Sequence, residues 1–189
     1  MNITEQGKTF SQILKNSNTD EWYTPVGPVQ MIVPYLKRRK FERILCPFDK
    51  AESNFVQVLK ANGFNVTYSH IETGTDFFQI SNLSDYDAIV SNPPYSKRQQ
   101  ILEVLYEAKV PFAMIMNYNG LFDNRKRWTM FKEFGVELLV PCGRIAFFND
   151  TCEGKAPMFQ SVYVCKGILD KQIEFEEMGK GQITVFDLL

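Results

Sequence analysis

The tetrapeptide Asn-Pro-Pro-Tyr at residues 92–95 follows an apolar run that ends at Val90, at the exit of a predicted buried strand. The Asn92 amide oxygen and the Pro93 carbonyl oxygen both accept hydrogen bonds. The prolines fix φ near about −65°, and Tyr95 offers a flat face for stacking a planar group. These groups suit the binding of an exocyclic NH2 group. The alternative is that Pro-Pro merely ends the strand and that Tyr95 is an ordinary core residue.

Polar side chains also follow the other predicted strands. The first strand ends in Cys-Pro-Phe-Asp at residues 46–49, the second contains His70, and a third turn carries Asp76 followed by Phe77 and Phe78. An acidic group after the second strand can bind a ribose diol, and an Asp followed by aromatic residues can hydrogen-bond an adenine amino group and pack its ring. A nucleotide-like cofactor would therefore lie here. The alternative for each turn is an ordinary loop that binds no ligand. For His70, the alternative is an imidazole that is exposed or hydrogen-bonded within the protein.

Alternating strands and helices must position these turns. A helical stripe at residues 29–36 begins just inside Pro28 and is disturbed by Pro34, and helices are predicted at residues 53–61, 101–108 and 128–134. Strands are predicted at residues 44–48, 66–71, 88–91 and 112–116, and the last third adds strand-like segments at 137–140, 145–148, 159–165 and 173–175. This pattern predicts an α/β protein with a doubly wound, mostly parallel sheet and a C-terminal antiparallel strand addition. Ligands of such sheets bind beyond the carboxyl ends of the strands.

Composition indicates one intracellular domain. The chain has 189 residues, of which 44% are hydrophobic, and a net charge of −1. Polar residues 1–20 are expected to form an N-terminal arm, and residues 21–189 the catalytic domain. The four cysteines show no Cys-x-x-Cys pairing, so we expect neither a metal site nor disulfides. Without a signal sequence or an apolar membrane span, we expect a cytoplasmic protein without a membrane partner.

The motifs together resemble a known enzyme family. Residues 21–25 (Glu-Trp-Tyr-Thr-Pro), residues 46–49, residues 76–78 and residues 92–95 follow the motif order of S-adenosylmethionine-dependent DNA adenine-N6 methyltransferases. The resemblance covers about residues 19–165 and implies a Rossmann-like methyltransferase fold.

The resemblance also implies roles for individual residues. The residues that would act on the target base are Asn92, Pro93, Pro94 and Tyr95. The residues that would bind S-adenosylmethionine are Tyr23, Thr24 and Pro25 at its methionine end, Cys46, Pro47, Phe48 and Asp49 in the turn that wraps it, His70 near the ribose with Glu72 as a substitute, and Asp76 with Phe77 at its adenine.

The implied substrate is double-stranded DNA from which the target adenine is flipped. Lys97, Arg98 and Arg125 would then hold phosphates, although such basic runs are also typical of solvated helix faces. Phe148 would contact the base on a second side. The alternative is that Phe148 is an ordinary core residue of a strand. Because the chain leaves no room for a separate target-recognition domain, we expect sequence choice to come from loops, a partner subunit or self-association.

One departure from the family keeps other functions open. The family has a Gly-rich turn after the first strand, where the backbone approaches the cofactor, but residues 49–53 contain no Gly. This Gly-free turn supports an alternative function, that of a catalytically inert protein that binds nucleic acid or another protein. Methylation of a glutamine amide or of RNA is a further alternative, because related tetrapeptides serve those reactions.

Overall fold

The computed structural model of the protein describes residues 23–148 and 159–178. The expected arm at residues 1–20, Glu21 and Trp22 of the first motif, and Cys152 lie outside these ranges. No helix in the described ranges combines the length and the apolar character needed to cross a membrane.

The described residues form an α/β fold of four helices and a seven-stranded sheet. In chain order the elements are α1 (Val26–Arg38), β1 (Arg43–Cys46), α2 (Asn54–Ala61), β2 (Asn65–Tyr68), β3 (Ala88–Ser91), α3 (Arg98–Ala108), β4 (Phe112–Asn117), α4 (Arg125–Phe134), β5 (Glu137–Pro141), β6 (Ser161–Lys166) and β7 (Ile173–Glu176). Short 3₁₀ turns fill the connections around the carboxyl ends of β2 and β3.

The sheet is mostly parallel, with strand order β2-β1-β3-β4-β6-β5-β7. Strands β2, β1, β3 and β4 pair in parallel, and β7 pairs in parallel with β5. Strand β6 is antiparallel to both β4 and β5, so β5 and β7 run in the direction of the first four strands. The arrangement is compatible with a Rossmann-like fold. The expected C-terminal antiparallel addition is therefore present as β6, whereas β5 and β7 run parallel to the first four strands.

Helices cover both faces of the sheet because the central strands are apolar on both sides. Ile44 and Cys46 of β1 pack in one cluster with α1 and α2, whereas Leu45 between them packs in the other cluster with α3 and α4. Alternate strand residues point to opposite faces, so a continuous apolar run is what a doubly covered strand requires.

Local signals set several element boundaries as expected. The Ser53 hydroxyl accepts a hydrogen bond from the Val56 amide at 3.4 Å and caps α2. The helix closes at Asn62, and Gly63 adopts φ +88°, a conformation that favours glycine. Strand β3 spans the predicted residues 88–91 and ends where the tetrapeptide begins.

Two strands end earlier than the sequence predicts. Strand β1 stops at Cys46 rather than residue 48, since Pro47 has no amide proton to continue the ladder. Strand β2 stops at Tyr68 rather than residue 71, because His70 Nδ1 accepts from the Glu72 amide at 3.2 Å and caps a 3₁₀ turn.

The predicted strand at residues 145–148 is wrong. Ile145 and Phe147 are buried, but the segment makes only an isolated bridge between Phe148 and Tyr23. Strand β5 is already paired with β6 and β7 on its two sides, so its edges are occupied. The apolar run at residues 145–148 therefore reflects burial without sheet pairing.

Two predictions about helices also need correction. Helix α1 runs through Pro34, whose side chain is exposed, instead of being disturbed there. In α4, the aromatic stripe does not define the buried face: Trp128 and Phe134 are exposed, whereas Arg127 is buried beside Met130 and Phe131. The physical reason lies in the loop before α4, which supplies hydrogen-bond acceptors for the Arg127 guanidinium.

Candidate functional site

The carboxyl ends of β1 and β3 meet at a topological switch point. Strand β3 lies beside β1 on the side away from β2, and the helices that follow β1 and β3 cover opposite faces of the sheet. The connections leaving these two strands therefore diverge and open a crevice, which is where ligands of such sheets bind. The crevice brings the turn that contains Asp49 next to the tetrapeptide at residues 92–95.

The tetrapeptide forms a rigid exit from β3. Ser91 is fully buried, Asn92 is half-buried, and Pro93 is buried. Neither proline has an amide proton, and the chain continues directly through a 3₁₀ turn at Tyr95–Lys97 into α3. The sequence thus places Asn92 and the two prolines at the carboxyl end of β3, beside the crevice.

The Tyr95 ring is half-buried and lies at the edge of the core. Its centroid is 6.2 Å from the Phe159 ring, with the planes nearly perpendicular, and Tyr95 packs against the cluster that contains α1 and α2. This edge-to-face contact helps to fix the orientation of the Tyr95 ring.

Asp49 is the buried acidic group of the crevice. Its carboxylate accepts a short hydrogen bond from the Ser91 hydroxyl and a second bond from Ser53. Burial raises the pKa of Asp49 to about 6, against the lowering effect of these two hydrogen bonds. Within residues 23–148 and 159–178, no lysine, arginine or histidine forms an ion pair with Asp49. The crevice therefore holds a carboxylate suited to a positively charged ligand.

The neighbours of Asp49 in the motif face the core rather than the crevice. The Cys46 side chain is fully buried, and its backbone oxygen accepts from the Ser69 amide at 3.1 Å. Pro47 is buried as well. The Asp49 amide donates to the Ser69 oxygen at 3.0 Å, so the turns after β1 and β2 are joined.

An aromatic cluster closes the same edge near the third turn. The half-buried Phe48 ring lies 5.0 Å from the buried Phe77 ring, and Phe77 contacts the exposed Phe78 ring at 5.5 Å. Asp76 Oδ1 accepts from the Phe78 amide at 3.0 Å and caps the short turn that follows. The two residues predicted to contact adenine, Asp76 and Phe77, therefore lie beside Phe48.

The turn after β2 is held by local contacts. His70 caps its own 3₁₀ turn, and the Glu72 carboxylate lies 2.6 Å from Lys50 Nζ in an ion pair with the turn after β1. Both residues predicted for the ribose, His70 and Glu72, therefore lie at the carboxyl edge and stabilise its turns.

The Thr-Pro segment lies beside the start of α2. Asn54 Nδ2 donates to the Thr24 carbonyl oxygen at 2.9 Å, and Pro25 is the N-cap of α1. Thr24 Oγ1 is buried without a hydrogen-bond partner among the described residues. A buried unsatisfied hydroxyl is costly, and a polar ligand group in the crevice would satisfy it.

Phe148 lies beside the Thr-Pro segment. The Tyr23 amide donates to the Phe148 oxygen at 2.7 Å, the reverse bond is 3.1 Å, and the two ring centroids are 5.6 Å apart. Phe148 is therefore tied to the residue predicted to contact the methionine end of the cofactor.

The basic residues predicted to hold phosphates have different surroundings. Lys97 Nζ lies 5.7 Å from the centroid of the Phe78 ring, and Arg125 is exposed at the first turn of α4. The Arg98 guanidinium donates to the Asn119 oxygen and to the Gly120 oxygen, both at 3.2 Å. Arg98 thus supports the loop after β4 while remaining half-exposed.

Sequence reasoning missed several residues that shape the site. Ser91 and Phe159 carry no motif signal, because their roles depend on the contacts with Asp49 and Tyr95 across the fold. Arg127 belongs to a basic run that resembles a solvated surface, although Asn124, which caps α4, marks where the inward face begins. Comparison with protein-family models and with curated protein sequences gave no match for this chain.

Proposed function

We propose that this protein transfers a methyl group from S-adenosylmethionine to the N6 amino group of adenine in DNA. The observation that carries the proposal is the position of the tetrapeptide at residues 92–95. It leaves β3 at the switch point, next to the Asp49 carboxylate that Ser91 contacts. An amine-binding tetrapeptide and an acidic crevice lie side by side, as methyl transfer from a cationic donor to an amine requires.

The polar groups of the crevice fit the proposed cofactor. The Asp49 carboxylate has no cationic partner among the described residues, and Thr24 Oγ1 and Ser69 Oγ are buried without a hydrogen-bond partner there. When bound, S-adenosylmethionine supplies a methyl group on positively charged sulfur. Tyr23, Thr24 and Pro25 would hold its methionine end, and Asp76 with Phe77 would hold its adenine.

The side chains of residues 49–53, where the family has a Gly-rich turn, differ in burial. The Asp49 and Ser53 side chains are buried and hydrogen-bond to each other, whereas Ala51 and Glu52 are exposed. In the family's Gly-rich turn, glycine permits the backbone to approach the cofactor closely. Here the turn would instead offer a carboxylate to a cationic ligand.

The tetrapeptide would act on the target nitrogen. The Asn92 amide oxygen and the Pro93 carbonyl oxygen would accept hydrogen bonds from the two N–H groups of the amine, which would localise the nitrogen lone pair otherwise delocalised into the ring. The tetrapeptide would hold this nitrogen in line with the methyl group that the cofactor would supply, and the N–H proton displaced by methylation would leave to solvent. Catalysis would rest on positioning and on preorganised hydrogen-bond acceptors. Tyr95 would stack on the flipped base and offset part of the cost of flipping.

One experiment separates this function from its alternatives. S-adenosylmethionine is titrated into the protein by calorimetry, and transfer of labelled methyl is then measured to unmethylated genomic DNA, to RNA and to a release-factor glutamine peptide. We expect cofactor binding and transfer to DNA. Transfer to RNA or to the peptide instead would reassign the substrate. Failure of the protein to bind the cofactor would leave the inert binding protein as the function.

A further inference from the structure

The loop between β4 and α4 exposes two large aromatic side chains. We call residues 118–124 the aromatic loop. Tyr118 is 44% exposed and Phe122 is 38% exposed, and their ring centroids lie 6.0 Å apart in an edge-to-face arrangement. Adjacent exposed aromatic groups are typical of binding surfaces rather than of solvated loops.

The aromatic loop is held rigidly from beneath. The buried Arg127 guanidinium donates to the Leu121 oxygen at 2.9 Å and to the Gly120 oxygen at 2.8 Å, and Arg98 donates to the Asn119 and Gly120 oxygens. Leu121 is fully buried and anchors the loop in the core. Fixed backbone acceptors and an apolar anchor keep the aromatic rings presented to solvent, so binding would cost little ordering entropy.

The surroundings of the aromatic loop carry excess positive charge. Burial and then repulsion from Arg98 lower the pKa of Arg127, so two guanidinium groups lie close together under the loop. Arg125 and Lys126 are exposed at the first turn of α4, and Asp123 is the acidic group that opposes them within the loop. Aromatic groups beside uncompensated cations suit nucleic acid, whose bases stack and whose phosphates are anionic.

The aromatic loop borders the tetrapeptide. Strands β3 and β4 are parallel neighbours, with Ser91 aligned to Met114, so both exits lie at the same edge of the sheet. Arg98 follows Tyr95 by three residues and donates directly to the loop carbonyls. A duplex that delivers a base to the tetrapeptide would therefore pass over Tyr118 and Phe122.

We propose that the aromatic loop is the part of the protein that contacts DNA around the target site. Tyr118 and Phe122 stack on bases left unpaired when the target base leaves the duplex, and Arg125 and Lys126 hold the flanking phosphates. This inference rests on the proposed function, since base flipping creates the unpaired bases.

The test measures DNA binding without methyl transfer. Fluorescence anisotropy compares a fluorescein-labelled 20-base-pair duplex, of about two helical turns, with the same duplex carrying an abasic site opposite a central adenine. We expect the Tyr118→Ala/Phe122→Ala variant to lose about tenfold or more in affinity for the abasic duplex and much less for the paired duplex. Phe175→Ala, which removes a 76%-exposed ring from β7, is the matched control and should change neither affinity.

The charge component is tested separately. Arg125→Gln/Lys126→Gln should weaken binding to both duplexes and reduce the slope of log affinity against log salt by about two, one for each phosphate that the variant no longer neutralises. Lys171→Gln, at an exposed position before β7, is the charge control and should leave the slope unchanged. An unchanged slope in the double variant would contradict the proposed phosphate binding.

Several outcomes would overturn the inference. Equal affinity of the aromatic double variant and the wild type, or equal reductions on both duplexes, would exclude stacking on unpaired bases. Tighter binding to RNA of the same sequence would exclude DNA as the partner. Phe122 also contacts the buried Phe131 ring at 5.8 Å. Thermal melting therefore checks that the double variant is folded, and Tyr118→Ala alone repeats the test with the smaller change. Methyl transfer by the wild type, assayed independently, shows whether the proposed function survives any of these results.

Discussion

Asn92 is the residue on which the proposed chemistry depends most directly. Its side chain is half-buried at the exit of β3, beside the Ser91 hydroxyl that bonds to Asp49. Replacement of Asn92 by Ala should lower kcat for methyl transfer at least about a hundredfold, the scale typical of removing one preorganised hydrogen-bonding group. Cofactor affinity and the melting temperature should change little, because the proposed role of the amide is to bind the substrate nitrogen.

The matched control for Asn92 is Asn82→Ala. Asn82 is exposed and donates to the Asp85 carboxylate at 2.9 Å, away from the carboxyl ends of β1 and β3. The Asn82→Ala variant should retain full methyl-transfer activity. Activity of Asn92→Ala at the wild-type level would refute the proposed mechanism even if the cofactor binds.

Asp49 should make cofactor binding depend on pH. Burial raises its pKa to about 6, so the carboxylate becomes ionised as pH rises through that value. The groups that face it are the Ser53 and Ser91 hydroxyls, the Cys46 thiol, whose pKa burial raises, and the Tyr163 phenol, whose pKa burial also raises. These groups remain uncharged below neutral pH. Affinity for the cationic cofactor should therefore increase between about pH 5 and about pH 7.

Calorimetric titration across this pH range tests the role of Asp49. Asp49→Asn should weaken binding at neutral pH and remove most of the increase, whereas His70→Gln controls for the imidazole at the same edge. A variant that keeps the full wild-type pH dependence would show that Asp49 is not the group responsible.

At the scale of elements, the loop after β4 and helix α4 depend on Arg127. The guanidinium is buried and donates to Leu121, Gly120 and Gln99. Arg127→Met should leave the Leu121 oxygen without its donor and remove one donor each from Gln99 and from Gly120, which keeps its bond from Arg98. The fold should be destabilised by about 2–4 kcal/mol, from about 1–3 kcal/mol for each acceptor left without its donor, with part of the cost relieved by water.

Lys126→Met provides the control from the same basic run. Lys126 is exposed at the first turn of α4, so its replacement should change stability by about 0.5 kcal/mol or less. Urea denaturation measures both variants. Equal stability of the two would show that Arg127 is a surface cation like its neighbour.

The sequence predicts elements better than it predicts their ends. Strand β3 and helix α2 follow from an apolar run and from a cap at Ser53 with a stop at Gly63. The apolar run at residues 145–148 predicts a strand, but pairing requires a free sheet edge, which no local pattern specifies. For the same reason, the exposure of Trp128 and the burial of Arg127 could not be deduced from α4 alone.

At the scale of the whole molecule, Asp49 should cost folding stability at neutral pH. Its pKa of about 6 in the folded protein lies above the ordinary value of 3.8, so the folded state binds the proton more tightly. Protonated Asp49 makes its full contribution to the free energy of unfolding below about pH 4, and this contribution is lost as pH rises through about 6. Asp49→Asn should therefore be more stable than the wild type at neutral pH by up to about 3 kcal/mol.

Thermal denaturation at about pH 4 and about pH 7 measures this effect as a difference between the two proteins. The comparison cancels other titrating groups, such as Asp87, whose pKa is lowered by hydrogen bonds from the backbone amides of Arg43 and Glu42. The gain should appear at neutral pH and shrink in acid. A variant less stable than the wild type at neutral pH would mean that the charged Asp49 stabilises the fold.

The sequence by itself determined the alternation of strands and helices, the α/β class and the place of the tetrapeptide at the end of a buried strand. Only the tertiary structure decided that Asp49 meets Ser91 across the switch point, that Tyr95 lies against Phe159, and that Arg127 turns inward beneath the aromatic loop. Local propensity and periodicity act over a few neighbouring residues. These contacts depend instead on strand order and on the burial of charge within the completed fold, which no short stretch of sequence specifies.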